Sequence, residues 1–149
     1  MSGTFPASLT WNGSTLDPGY GRAGELTKPD GLAAIPVSSL AAFGGDDRRW
    51  NPEDLLAGAL ATCHMLTFLA LAARAGVAVT GYRDRAEASL ETVEKLSRVG
   101  VIALRPAIAV APGTDPAKVV ELFHKAHKYC IIANTITAKV ILEPSVVNA

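Results

Sequence analysis

Residues 55–73 carry no charged side chain and are apolar at nearly every position. A chain with such a stretch must hide a long apolar helix, either in lipid or in a protein core. Its length is about that of a membrane-spanning helix. Gly58, Thr62, Cys63 and His64 sit near its middle, where polar groups are costly in hydrocarbon. The rest of the chain is amphipathic, and a spanning helix would leave its half-buried strands with no core. The segment is therefore expected to be a central helix, hydrophobic nearly all round and buried on most sides.

The ends of this helix are marked. In Asn51-Pro52-Glu53-Asp54, Asn51 can cap, Pro52 suits the first helical position, and two carboxylates complement the helix dipole. The helix is predicted to run to about Arg74, with Gly76 placed to end it. The first 50 residues are rich in Gly, Pro and Ser. Ser8 to Trp11, Tyr20 to Lys28 and Leu32 to Leu40 read as three strands of a β-meander, the last interrupted by Pro36. Leu16-Asp17-Pro18-Gly19 and Lys28-Pro29-Asp30-Gly31 read as its turns.

Beyond Gly76, one strand opens at Val77 and is expected to continue through Ala86, Ala88 and Leu90. A second spans Val99 to Val110, with an edge or bulge at Pro106. A second helix starts at Asp115-Pro116 and places Val119, Leu122, Phe123, Ala126 and Cys130 on one face. Thr135 to Leu142 alternates as a last strand, with Ile136, Ala138, Val140 and Leu142 on one side. Strands, long helix, two strands, helix and strand predict an α+β domain: a mainly antiparallel sheet packed on a long buried central helix and a second helix. The length fits one domain, 1–149.

Lys and Arg number 14 and Asp and Glu 14, so the formal net charge is zero. No basic excess argues for nucleic acid, and no field argues for steering a charged partner. The N-terminal Met1-Ser2-Gly3-Thr4-Phe5-Pro6 has no positively charged region leading into an apolar run, which predicts a cytoplasmic protein. In a reducing compartment, two cysteines are expected to be reactive or inert rather than a structural disulfide.

Cys63, mid-helix, would be a small buried hydrophobe if nothing activated it. Cys130, near the end of the second helix, has the same bland role open to it. Two cysteines on two apolar helix faces also suit a nucleophile and a resolving thiol. His124, His127 and Cys130 stand at i, i+3 and i+6, and the outer two point about 120° apart, a poor metal face. No metal or cofactor is expected, and no nucleotide fingerprint or Gly-x-Ser-x-Gly elbow is present. The acidic Gly44-Gly45-Asp46-Asp47 reads as a plain turn. Glu53 has a dipole role to fill, and Arg22, Arg48 and Arg49 are ordinary cations on sequence alone.

Two segments together carry a resemblance. Asn51-Pro52-Glu53-Asp54-Leu55-Leu56 followed by Ala61-Thr62-Cys63-His64, and Ala126-His127-Lys128-Tyr129-Cys130 followed by Asn134, are similar to the OsmC/Ohr family (osmotically inducible protein C and organic hydroperoxide resistance protein). The resemblance runs from about Trp11 to Pro144. It implies an intertwined homodimer in which Cys63 attacks an organic hydroperoxide and Cys130 resolves the sulfenic acid as a disulfide. Glu53 and Arg22 match the family's active-site glutamate and arginine. A dithiol, such as that of a lipoylated protein, is the implied reductant. Ile131 departs from the Pro that hydroperoxide-resistance members often carry after this cysteine.

The chemistry is coherent. A mid-helix thiolate gains nothing from a helix N-terminus, and a guanidinium held by a carboxylate would stabilise it. Glu53 and Cys63 are ten positions apart on one helix, about 15 Å along its axis. A partner subunit is therefore expected to supply Glu53 and Arg22 to Cys63. The competing reading is a non-catalytic module of the same fold that binds a small apolar ligand.

Overall fold

The computed structural model describes residues 2–29 and 31–148, which leaves Asp30 of the turn expected at 28–31 outside the described residues. The chain falls into two compact units, Met1–Leu55 and Leu56–Ala149. In the first unit, strands β1 (Ser8–Thr10), β2 (Gly24–Thr27) and β3 (Ile35–Val37) form an antiparallel meander in the order β1-β2-β3. Leu9 faces Leu26, and Leu26 faces Ile35. Gly24 is required by the pairing, because a Cβ there would sit 2.8 Å from the Thr10 carbonyl oxygen. Pro36, which has no N–H to give, occupies an edge strand, and its carbonyl accepts the Trp50 N–H at 3.1 Å.

Helix α1 (Pro52–Arg74) begins where the sequence places it. The Asn51 side chain accepts the Asp54 N–H at 2.8 Å, and the Asp54 carboxylate accepts the Asn51 N–H at 3.4 Å. It ends on Gly76, at φ +69°, where Val77 N–H reaches Ala72 O and Gly76 N–H reaches Ala73 O, the paired bonds of a left-handed cap. The helix is less covered than expected. Ala57, Leu60, His64, Phe68 and Ala72 form one buried stripe at three- and four-residue steps, while Ala59, Thr62, Leu66 and Ala70 are exposed in the single chain. Two helices and the strands of one unit have too few elements to surround it. It is the one helix among the described residues long and apolar enough to cross a membrane, and its stripe is packed into the core instead.

In the second unit, two expected strands become four: β4 (Val79–Arg83), β5 (Glu87–Val93), β6 (Leu96–Leu104) and β7 (Ala107–Val110). The first run breaks at Asp84, whose carboxylate accepts the Arg105 N–H at 2.8 Å; the second breaks at Arg105-Pro106 itself. Helix α2 (Pro116–Tyr129) follows, capped by the Asp115 carboxylate on the Ala117 N–H. Then come β8 (Lys139–Leu142), later than the strand expected from Thr135, and β9 (Ser145–Asn148), which alternation alone did not reveal. The sheets are β4-β7-β9 and β5-β6-β8. The β4–β7 and β5–β6 pairs are antiparallel, and β6–β8 and β7–β9 are parallel, so the unit is mixed rather than antiparallel throughout. Both parallel pairs bend at the same level: Glu143 N–H bonds Leu104 O and Ser145 N–H bonds Pro106 O across the corner. Ile102, Leu104, Ile108 and Val110 close the core against Phe68 and, from α2, Val119, Phe123 and Ala126.

Candidate active site: a thiol pair

Cys63 lies on α1, half-buried, one residue from the inward-facing His64. Cys130 is the residue that terminates α2, with extended backbone (φ −72°, ψ 116°), and is fully buried. The fold brings the two side chains near each other. The turn after Cys130 completes the site. Asn134 holds that turn in place: its backbone N–H bonds Cys130 O at 3.1 Å, and its side-chain amide donates to Lys128 O at 3.0 Å. Helix end and turn are thereby tied to each other, and orphan carbonyls of α2 are satisfied.

The tied turn aims its backbone amides at sulfur. Ala133 N–H donates to Cys130 Sγ at 3.4 Å. Ile131 and Ile132 offer their N–H groups to Cys63, and the Thr67 hydroxyl, one helical turn along α1, also reaches it. Burial works against a thiolate at Cys63, but the Ile132 amide, the Cys130 thiol, the Ile131 amide and Thr67 outweigh it, so the thiol is held below its ordinary value. Cys130 goes the other way. Burial raises it most, and the neighbouring Cys63 sulfur raises it further against the pull of the Ala133 amide. The pair is thus differentiated: Cys63 is the better thiolate and Cys130 the poorer one.

The sequence singles out both cysteines but not Thr67 or the Ile131 and Ile132 amides. Thr67 at four residues from Cys63 was a readable signal; backbone amides have no side-chain signature. In the structure, Thr67 Oγ1 donates to Cys63 O at 2.8 Å. A hydroxyl rotor in that place can turn between the carbonyl and the sulfur.

Arg22 and Glu53 belong to the first unit. Arg22 Nη1 donates to Tyr20 O at 3.0 Å, and its guanidinium stacks 4.3 Å above the Tyr20 ring. It lines an apolar groove of about 310 Å³ with Leu9, Trp11, Leu26 and Leu55. Glu53 stands half-buried in the first turn of α1. Among the described residues no ion pair joins Arg22 to Glu53. Arg48 pairs with Asp46 at 3.0 Å, and Arg49 lies 3.9 Å from the same carboxylate.

The histidines divide. His124 is exposed, and His127 sits in the last turn of α2. His64 is fully buried, with its ring 4.3 Å from Phe123 and 6.2 Å from His127, and neither ring nitrogen has a hydrogen-bond partner among the described residues. Among the described residues no three His, Cys, Asp or Glu side chains gather into a metal-holding group.

The fold and sequence both have relatives. An OsmC-like protein of Vibrio cholerae superposes with a TM-score of 0.86 at 26% identity, covering 97% of this chain and 100% of that one. An organic hydroperoxide resistance protein of Legionella pneumophila superposes at 0.72, also 26% identical, with 96% of each chain covered. Peroxiredoxin OsmC of Escherichia coli is 29% identical over 93 residues, which span 62% of this chain and 64% of that protein. The family model for OsmC-like proteins matches residues 44–145, from the approach to α1 through Cys63, α2, Cys130 and the start of β9. With that match over more than half its length, the chain belongs to the OsmC-like protein family.

Proposed function

We propose that this protein is a cysteine-based peroxidase that reduces organic hydroperoxides, working in the cytoplasm as a homodimer with residues 1–149 acting as one domain. The observation that carries the reading is that the only two cysteines of the sequence stand near each other, Cys63 on α1 and Cys130 at the end of α2, with the Ala133 amide on the Cys130 sulfur. The Cys63 thiolate attacks the distal peroxide oxygen. The O–O bond breaks, Cys63 becomes a sulfenic acid, and the alkoxide leaves and takes up a proton to become an alcohol. The Cys130 sulfur then attacks the sulfenic sulfur, water leaves, and a Cys63–Cys130 disulfide remains. A dithiol, of which that of a lipoylated protein is one form, returns it to two thiols.

Arg22 is assigned as the guanidinium that receives the developing alkoxide, and Glu53 as the carboxylate that would orient it once the site is assembled. Glu53 and Cys63 are about 15 Å apart along one helix, which supports a partner subunit as the source of both groups. The relatives named for hydroperoxide resistance support the substrate class.

Intact mass and free-thiol count after one equivalent of cumene hydroperoxide test the proposal. Rapid loss of both thiols is expected, with a trapped sulfenic acid at Cys63 in Cys130→Ser. Two unreacted thiols would favour the other reading, a non-catalytic binder of a small apolar ligand, for which the groove beside Leu9, Trp11 and Leu26 is the supporting observation. That reading expects Cys63→Ser to leave ligand binding intact.

A further inference from the structure

The furrow between α1 and α2 has two walls, and its lining includes Thr67, one helical turn from Cys63, and Tyr129, next to Cys130. On α1 the wall is Thr67, Leu71 and Arg74, the continuation of the stripe that Cys63 begins. On α2 it is Lys118, Leu122, Lys125 and Tyr129, and it stops one residue short of Cys130. The furrow encloses about 600 Å³. Thr67, hydrogen-bonded to Cys63, stands at one end. Arg74 stands at the other, seven positions and about 10 Å away.

Its charge is one-sided. The lining holds Arg74, Lys118 and Lys125 and no carboxylate, and the Lys128 ammonium adds a fourth cation 5.6 Å from the Tyr129 ring. Only Lys118 has an acidic partner among the described residues, Glu121 at 3.3 Å. The whole chain is neutral, so this is a local concentration and not a general field. The cations recur along the full length of α2 rather than gathering at one end. An amphiphile with a single anionic head would leave its apolar tail lying against Lys125, whereas a polypeptide with several carboxylates would meet a cation at each turn.

We propose that this furrow docks an acidic protein segment bearing the dithiol that reduces the Cys63–Cys130 disulfide, an inference that rests on the two-cysteine reading above. Cys63 is half-buried and Cys130 fully buried, so the incoming thiolate attacks the Cys63 sulfur. The Cys63–Cys130 bond breaks, Cys130 leaves as thiolate and takes up a proton, and a mixed disulfide forms between Cys63 and the partner. The partner's second thiol attacks its own sulfur in that bond, Cys63 is released, and the partner departs as a disulfide. Two electrons and two protons have passed to this chain.

The test begins with the disulfide form made by diamide, so it runs whether or not the protein turns over peroxide. Failure of hydroperoxide to form that disulfide would sink the peroxidase reading and leave this test standing. Two reduced Cys-x-x-Cys peptides are compared, one rich in Asp and Glu and one with Asn and Gln in their place, with dithiothreitol as a neutral small dithiol. At low ionic strength the acidic peptide is expected to reduce the protein about tenfold faster, with the advantage fading as salt screens the furrow. A Lys118→Glu, Lys125→Glu double variant is expected to lose the preference and keep its rate with dithiothreitol. Equal rates for the two peptides on the unaltered protein would overturn the proposal. So would a preference that survives the double substitution, or one that ignores salt; the salt series decides by itself where the variant does not fold. A double variant that keeps the peptide preference but reacts more slowly with an anionic hydroperoxide would assign the furrow to substrate and overturn it as well.

Discussion

Replacing His64 by leucine tests how the core handles a buried base. Burial, and then the charges of His127 and His124, push the His64 imidazole down from 6.5 to about 4. The ring is fully buried, and neither nitrogen has a partner among the described residues. In the folded chain His64 stays neutral through the range where the unfolded chain protonates it. The unfolded state binds the extra proton between about pH 6.5 and pH 4, so stability is present above that window and falls as the pH drops through it. Integrating that linkage gives a loss of about 2 kcal/mol between pH 7 and pH 5 from this one residue. His64→Leu keeps roughly the same volume and has nothing to titrate. At pH 7 it is expected to be as stable as the parent or more so, since no polar nitrogen is then buried unpaired. Urea denaturation followed by far-ultraviolet circular dichroism at pH 7, 6 and 5 reads the effect. Other groups in the window, including Asp84, whose carboxyl burial raises, act on both proteins and cancel in the difference. Parallel pH dependences for the two proteins would refute the reasoning, because His64 would then be taking up its proton inside the fold.

Thr67→Val removes a donor from Cys63 and keeps the shape of the side chain; the pH profile of Cys63 alkylation is expected to move to higher pH, with Thr67→Ser restoring it. Phe68, fully buried against Tyr82 and Phe123, is expected to cost about 3–5 kcal/mol when cut to alanine, measured by denaturant midpoint.

Where the sequence speaks through side chains, the structure follows it. Asn51, Asp54 and Gly76 are local signals, and they set the ends of α1 by bonds made within a few residues. Pro106 announced an interruption, because it withholds an N–H. That the interruption splits one run into β6 and β7 depends on Asp84 and on the matching corner at Glu143, both far away in sequence. The β5–β6 turn was hidden for another reason: Glu94 (φ 50°) and Lys95 (φ 67°) take left-handed conformations usually marked by Gly or Asn. The parallel partners of β8 and β9 are set by distant packing and leave no local pattern. At the site, Cys63 and Cys130 were legible as residues, while their nearness was not, since spacing along a chain carries no distance in space.

The turn that follows α2 has a last consequence. Cys130 and the Ile131 and Ile132 amides that favour the Cys63 thiolate are consecutive residues, pinned as one piece by Asn134. Under the proposed mechanism, attack and resolution are therefore not separate dials. An insertion, or a change at Asn134 that shifts the piece, must alter how readily Cys63 ionises and how well Cys130 meets it in a single stroke. In a directed-evolution screen the two traits would move together, and a variant improved in one half of the cycle without the other would have to come from α1.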